Sequence, residues 1–152
     1  MLLAATPNWT VQVDPLTTAL GYTHVQIERK LSPDWSVYAG PHLRLHDNPA
    51  AKDDDKTDLR GYGLEAGIRR YFSGKAPEGS WALVRGVGAG LSLDGETGFG
   101  GYGSVLGGYT WIFDSGLVLS AGAGVQYLHY QLNDEGPKGV LPAAHTTIGW
   151  AF

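Results

Sequence analysis

Cysteine is absent from the 152 residues. Disulfides, thiolate metal sites and a cysteine nucleophile are therefore excluded. Charge is scarce: 17% of residues are charged, against roughly 25% in an ordinary soluble domain. The net charge is −4, so there is no basic excess to neutralise phosphates, and nucleic acid is not an expected partner. Helical periodicity is nearly missing, and no run approaches the ~18 apolar residues of a membrane helix. Met1 to Ala5 is too short for a signal peptide and reads as a chain start or the stub of a removed leader. The mean hydropathy of −0.14 does not decide between water and membrane. A membrane β-barrel alternates apolar and polar residues, so its average is unremarkable.

What is present is glycine, aromatic residues and a period of two. Glycine accounts for 23 residues, scattered rather than tandem, beside 5 Trp and 8 Tyr. That distribution fits neither collagen nor a flexible linker. Trp9, Val11 and Val13 alternate with polar residues, as do Val25 and Ile27. The same alternation runs through Trp35 to His46, Gly61 to Arg69, Leu117 to Tyr127 and Ala144 to Phe152. Two noisier stretches, Trp81 to Leu93 and Tyr102 to Phe113, complete eight strands. At ~10 residues each, these suit tilted membrane strands. The size prior gives one domain, here a short tail over 1–8 and a barrel over 9–152.

The connections alternate in length. Leu31 to Asp34, Gly74 to Gly79 and Phe113 to Gly116 are compact. Between them fall the more polar Asp47 to Asp58, Asp94 to Thr97 and Leu132 to Gly139. Short turns at one end and longer loops at the other are the outer-membrane barrel pattern. The first turn lies within Pro15 to Gly21, with no apex marked by the sequence.

If the compact turns mark one rim, the aromatic residues sort by rim. Trp9, Trp35, Phe72, Trp81, Trp111, Phe113, Trp150 and Phe152 form a girdle at the expected periplasmic end. Tyr22, Tyr62, Tyr102, Tyr127 and Tyr130 fall toward the opposite end. Two aromatic belts around an apolar band suit a bilayer, where amphipathic rings settle at the headgroups. The rival reading makes these the core aromatics of a sandwich.

The opposite phase of the strands gives the expected lumen: His24, Gln26, Glu28, His42, Arg44, Glu65, Arg69, Gln126 and His145. Eight strands leave room only for side chains. A charge there has to be paired, so Glu28 and Glu65 are expected to meet Arg44 and Arg69. His46 shares the inward phase, and His129 falls outward. No close His-x-His pair stands on one face, so no metal is expected. Asp53, Asp54, Asp55 and Asp58 lack the spacing of an EF-hand and read as a solvated loop. The glycine run Gly98 to Gly103 has no helix after it, which excludes a phosphate loop. Arg85 falls on the lipid phase of its strand between Leu83 and Val87; a bulge near Val84 would turn it inward but would turn later apolar residues inward as well, so the sequence leaves its orientation open. Pro41, inside the third strand, calls for a bulge in the same way.

Several short motifs carry a family resemblance: Asp14-Pro15-Leu16, Ile27-Glu28-Arg29, Leu31 to Val37, Arg70-Tyr71-Phe72 and the terminal Phe152 with Trp150 two residues before it. With these the chain resembles the small eight-stranded outer-membrane barrels of Gram-negative bacteria whose function is unassigned. More distantly it is similar to the OmpX and OmpA barrels. The resemblance implies an all-β, eight-stranded antiparallel up-and-down transmembrane barrel located in the bacterial outer membrane. It implies partners in the lipid bilayer, lipopolysaccharide and the barrel-assembly machinery, the last through the C-terminal strand. It implies no activity.

The expected function is thus structural or surface-interacting, as a monomer, with no open pore, no catalytic residues, no cofactor and no metal. One alternative is a soluble lipocalin- or avidin-like barrel with the apolar face turned inward onto a ligand. Another is a lipid-modifying barrel enzyme. Lipid A deacylase barrels use a Ser, a His and an acid, and His129-Tyr130-Gln131 lacks the serine two residues after the histidine.

Overall fold

A computed structural model describes residues 7–19, 22–44, 60–93, 96–131 and 138–152. The elements in chain order are β1 (Trp9–Val13), α1 (Pro15–Ala19), β2 (Tyr22–Lys30), β3 (Trp35–Arg44) and β4 (Arg60–Tyr71). They are followed by β5 (Gly79–Leu93), β6 (Glu96–Ile112), β7 (Leu117–Gln131) and β8 (Lys138–Ala151). Each strand pairs antiparallel with the next, and β1 pairs with β8 through Thr10↔Ala151 to Val13↔Ile148, closing the barrel in up-and-down order. Over these four pairs closure leaves neither terminal strand as a free edge.

The ends of the barrel differ. One rim, the terminal rim, carries Trp9, the chain end at Phe152 and the three compact turns at 31–34, 72–78 and 113–116. In the last of these Gly116 has φ 90°, a left-handed conformation that only glycine adopts without strain, and its N–H donates to Phe113 O at 2.8 Å. The opposite rim carries α1 and the far ends of β3 to β8. The Asp47 to Asp58 segment and His46 lie outside the described residues.

The first connection is a helix of a single turn, which alternation could not reveal. Asp14 caps it: the Leu16 and Thr17 N–H groups donate to Asp14 Oδ1 at 2.9 and 3.1 Å. Pro15 occupies the first helical position, where its missing N–H costs nothing. Thr146 on β8 donates to the same carboxylate oxygen at 3.0 Å, tying the cap to the barrel wall.

Pairing through Pro41 contains no extra residue. The β2–β3 ladder runs from Tyr22↔Arg44 to His24↔His42 and resumes at Ile27↔Ala39 in the same register. On its other side Pro41 stays paired with Leu64. The expected bulge is thus replaced by a gap in one ladder. A Cβ at the neighbouring Gly40 would fall 1.7 Å from the Val25 carbonyl oxygen, so glycine allows the two backbones to close at that gap.

The second correction concerns β5. Its ladder to β4 is unbroken from Trp81 to Ser92 and its ladder to β6 from Gly79 to Leu93, with no bulge at Val84. Trp81, Leu83, Arg85, Val87 and Ala89 point inward, and Val84 outward. The strand's larger residues therefore fill the lumen. Phase reading failed here because the outward positions Ala82, Gly86 and Gly88 are small, so both faces are weakly marked.

β6 begins at Glu96, six residues before the expected start at Tyr102, and takes in the glycine run. A Cβ at Gly101 would lie 2.1 Å from the Val87 carbonyl oxygen, so this run is a place where strands approach closely.

Candidate functional site

The barrel interior holds the chemistry-bearing side chains. It is organised around two carboxylates, each on a different strand pair.

Glu28 on β2 is the lower centre. Arg69 on β4 donates to its Oε2 at 2.9 Å, and neither side chain has exposed surface. Gln12 donates to the same oxygen at 3.1 Å. Ser36 and Tyr71 donate to Oε1, the latter at 2.9 Å. Gln12 is in turn linked to Thr10 at 2.6 Å and to Thr147 at 2.5 Å. The cluster thus joins β1, β2, β3, β4 and β8 across the lumen. Taking one such ion out of water costs several kcal/mol, and this is the dense hydrogen bonding that makes a buried pair tolerable.

Trp81 forms the floor beside it. The Arg69 guanidinium carbon lies 4.6 Å from the centre of the Trp81 ring. His145 meets the same ring edge-on at 5.6 Å, and Arg69 Nη2 lies 3.1 Å from His145 Nε2. Arginine can only donate, so His145 accepts at Nε2. The indole N–H donates to Thr110 at 3.0 Å, and Thr110 donates to Ser120 at 2.9 Å. The ring fits because the facing strands carry glycine: a Cβ at Gly108 or Gly122 would lie 2.4 Å from it. Trp81 is therefore not a girdle residue. It is 2% exposed, and the expectation that all five tryptophans share one outer belt is corrected. A turn just before it suggested the rim, but its phase places it inside.

Glu65 on β4 is the upper centre. Tyr38 donates to its Oε1 at 2.6 Å. Arg85 Nη1 and His24 Nε2 lie 3.6 and 3.5 Å from the same oxygen. Arg85 is 7% exposed and also reaches Ser104 and the Ala144 carbonyl, each at 3.4 Å. His24 faces His42 at 5.8 Å between ring centres, and His42 faces Tyr102 at 6.5 Å. The Arg85 and His24 contacts to Glu65 are longer than the Arg69 contact to Glu28. Gln26 is fully buried, with neither amide atom hydrogen-bonded among the described residues.

Of the lumen residues named from sequence, His24, Gln26, Glu28, Glu65, Arg69 and His145 are buried inside, and His42 and Gln126 are half-buried on the inward phase. The Arg44 side chain lies outside the described residues. The partner of Glu65 is Arg85, whose orientation the sequence leaves open. Tyr102, expected in the outer belt, turns in toward Arg85, with 5.6 Å between the guanidinium carbon and the ring centre. Thr10, Gln12, Ser36, Tyr38 and Tyr71 also belong to the interior network. Their inward phase was readable from the alternation that placed Trp9, Val11 and Val37 outside. Among the described residues no three His, Asp or Glu side chains are placed to hold a metal ion.

The outer face is the reverse of the inner one. Val11, Ile27, Leu64, Ile68, Val84, Val105, Val125 and Ile148 all point out and are exposed. At the terminal rim Trp9, Trp35, Phe72, Trp111, Phe113, Trp150 and Phe152 are exposed on the outside. Tyr62, Phe99 and Tyr127 are exposed toward the opposite rim. No family model matches the chain, and no curated protein or solved structure matches it either, so its function is argued from these residues alone.

Proposed function

We propose that the chain is an integral outer-membrane β-barrel with a structural or surface-interaction role and no open pore. The observation that carries this reading is the inversion of burial between neighbouring residues. Glu28 is 1% exposed and Ile27, next to it, is 49% exposed. A soluble protein gains stability by burying apolar area, worth roughly 25 cal/mol per Å². This barrel buries Glu28, Glu65, Arg69 and Arg85 and turns Ile27, Leu64, Ile68 and Val84 outward, which costs free energy in water and suits hydrocarbon.

The aromatic belt at the terminal rim supports the same reading, since Trp and Phe there would lie at one interface. β4 to β8 have 12 to 17 residues, more than the ~9–11 a tilted strand needs to cross. Among the described residues no helix is long and apolar enough to cross a membrane. On this reading the bilayer and lipopolysaccharide contact the outer face, and the C-terminal strand ending in Trp150 and Phe152 engages the assembly machinery. The Glu28–Arg69–Trp81 layer stops the lumen. A soluble ligand-binding barrel would need an apolar interior, and here four charged side chains converge inside instead.

The test is refolding from denaturant into detergent micelles, followed by SDS electrophoresis of unboiled and boiled samples. Two mobilities with β-type circular dichroism are expected. A single mobility, with a folded monomer in plain buffer, would overturn the proposal.

A further inference from the structure

On the outer wall between β2 and β5 lies a shallow groove of about 930 Å³. Two side-chain rows line it. The lower row follows the pairing Trp9↔Arg29, Arg29↔Val37, Val37↔Ile68 and Ile68↔Val84. The upper row follows Ile27↔Ala39, Ala39↔Ala66 and Ala66↔Gly86. The groove exists because the upper row narrows to Ala39, Ala66 and Gly86 while the lower row stays large.

Its direction matters. Counted from the terminal rim, Arg29, Val37, Ile68 and Val84 are the second, third, fourth and sixth residues of their strands. The row thus climbs from the rim toward mid-barrel as it crosses four strands, a run of about 14 Å at the usual strand spacing. Its low end carries Arg29, and the outward-facing residues at its high end, Ala66, Val84 and Gly86, are apolar, with the inward-facing Arg85 between the last two.

The low end carries the Arg29 guanidinium, and that of Arg70 lies nearer the rim, outside the groove's own lining. Arg29 lies over the Trp9 ring at 5.1 Å. Arg70, one row nearer the rim on β4, lies over Trp35 at 5.7 Å and Phe72 at 5.8 Å. Both arginines are exposed, and no described carboxylate is within ion-pair distance of either. Arginine can stack on a ring and still present N–H donors to phosphate oxygens.

We infer that this groove binds one anionic phospholipid, with its phosphate at Arg29 and Arg70 and one acyl chain along the Ala39–Ala66–Gly86 row. The inference rests on the membrane reading above. It adds a preferred lipid class and a place for it. The charge complementarity sits at the interface belt, and the apolar trough leads away from it into the band, which is the order of groups in a lipid.

The test uses the whole chain refolded in zwitterionic detergent and mixed with phosphatidylglycerol or phosphatidylcholine of identical acyl chains. Retained lipid is counted by native mass spectrometry. Wild type is expected to keep one phosphatidylglycerol at least tenfold more readily than phosphatidylcholine. The double variant R29Q/R70Q should lose that preference, and R29K/R70K should keep most of it. Ala66→Phe, which fills the trough, should lower retention of both lipids. Equal retention of the two lipids by wild type, or an unchanged preference in R29Q/R70Q, overturns the inference. So does a dimer that forms in place of lipid binding and is broken by Ala66→Phe. Heat-dependent gel mobility is recorded on every sample. A chain that folds only in plain buffer contradicts the membrane reading, and an inserted barrel without lipid preference contradicts this site alone.

Discussion

Arg69 on β4 and Glu28 on β2 meet at 2.9 Å inside the barrel, each the third residue of its strand from the terminal rim, and neither has surface to give to water. The two strands are not neighbours, since β3 lies between them. The pair therefore ties the wall across the lumen. Removing one partner leaves a buried charge. Glu28→Ala or Arg69→Ala should each cost about 3–5 kcal/mol. The joint replacement Glu28→Leu/Arg69→Met should cost less than either single change. Equilibrium unfolding in urea, with the barrel held in vesicles, measures all three, and strict additivity would count against the pair.

Trp81 and Trp150 predict opposite fluorescence. With Trp81 as the sole tryptophan, brominated lipid should leave its emission nearly unquenched. With Trp150 alone, emission should fall strongly. Trp81→Ala should destabilise by about 3–5 kcal/mol through the cavity it leaves. Gly122→Val should also destabilise, because its Cβ would sit 2.4 Å from the Trp81 ring.

Val84 and Arg85 are adjacent and face opposite ways. Val84→Arg should cost about 2–4 kcal/mol if the outer face is in lipid at that depth, although arginine is already the next residue. Arg85→Gln should weaken the Glu65 cluster without altering insertion. Unfolding free energies and vesicle insertion yields separate the two effects.

Asp14→Ala removes the cap of α1 and the bond to Thr146, for about 1 kcal/mol from the cap alone. Hydrogen exchange at Leu16 and Thr17 should rise sharply. Asp14→Asn should retain most of the protection.

Much of this arrangement was legible in the sequence because a strand marks its faces when large apolar and polar residues alternate. Trp9, Val11 and Val13 against Thr10, Gln12 and Asp14 fix β1 without ambiguity, and the closed eight-stranded order follows from eight such segments. β5 defeated the method. Its outward residues are small and its inward ones large, because the inward positions it faces at Gly108 and Gly122 are empty of side chain. What fills the lumen there depends on distant strands, which local alternation does not report. The ambiguity misplaced Trp81 and left Arg85 open, so the second ion-pair partner was missed while the first was found. α1 was missed for a different reason. Asp14-Pro15 is a cap followed by a first helical residue, but five residues are too few for a helical period to show.

The central claim is that the outward aliphatic face lies in lipid. The absence of cysteine makes single-cysteine labelling clean, so the most direct measurement is spin-label accessibility at Val105→Cys in vesicles, with Ser104→Cys as its inward neighbour. The account predicts high accessibility to oxygen and low accessibility to a water-soluble nickel chelate at 105, with little access by either at 104. Strong exposure of position 105 to the nickel chelate would place that face in water and contradict the account.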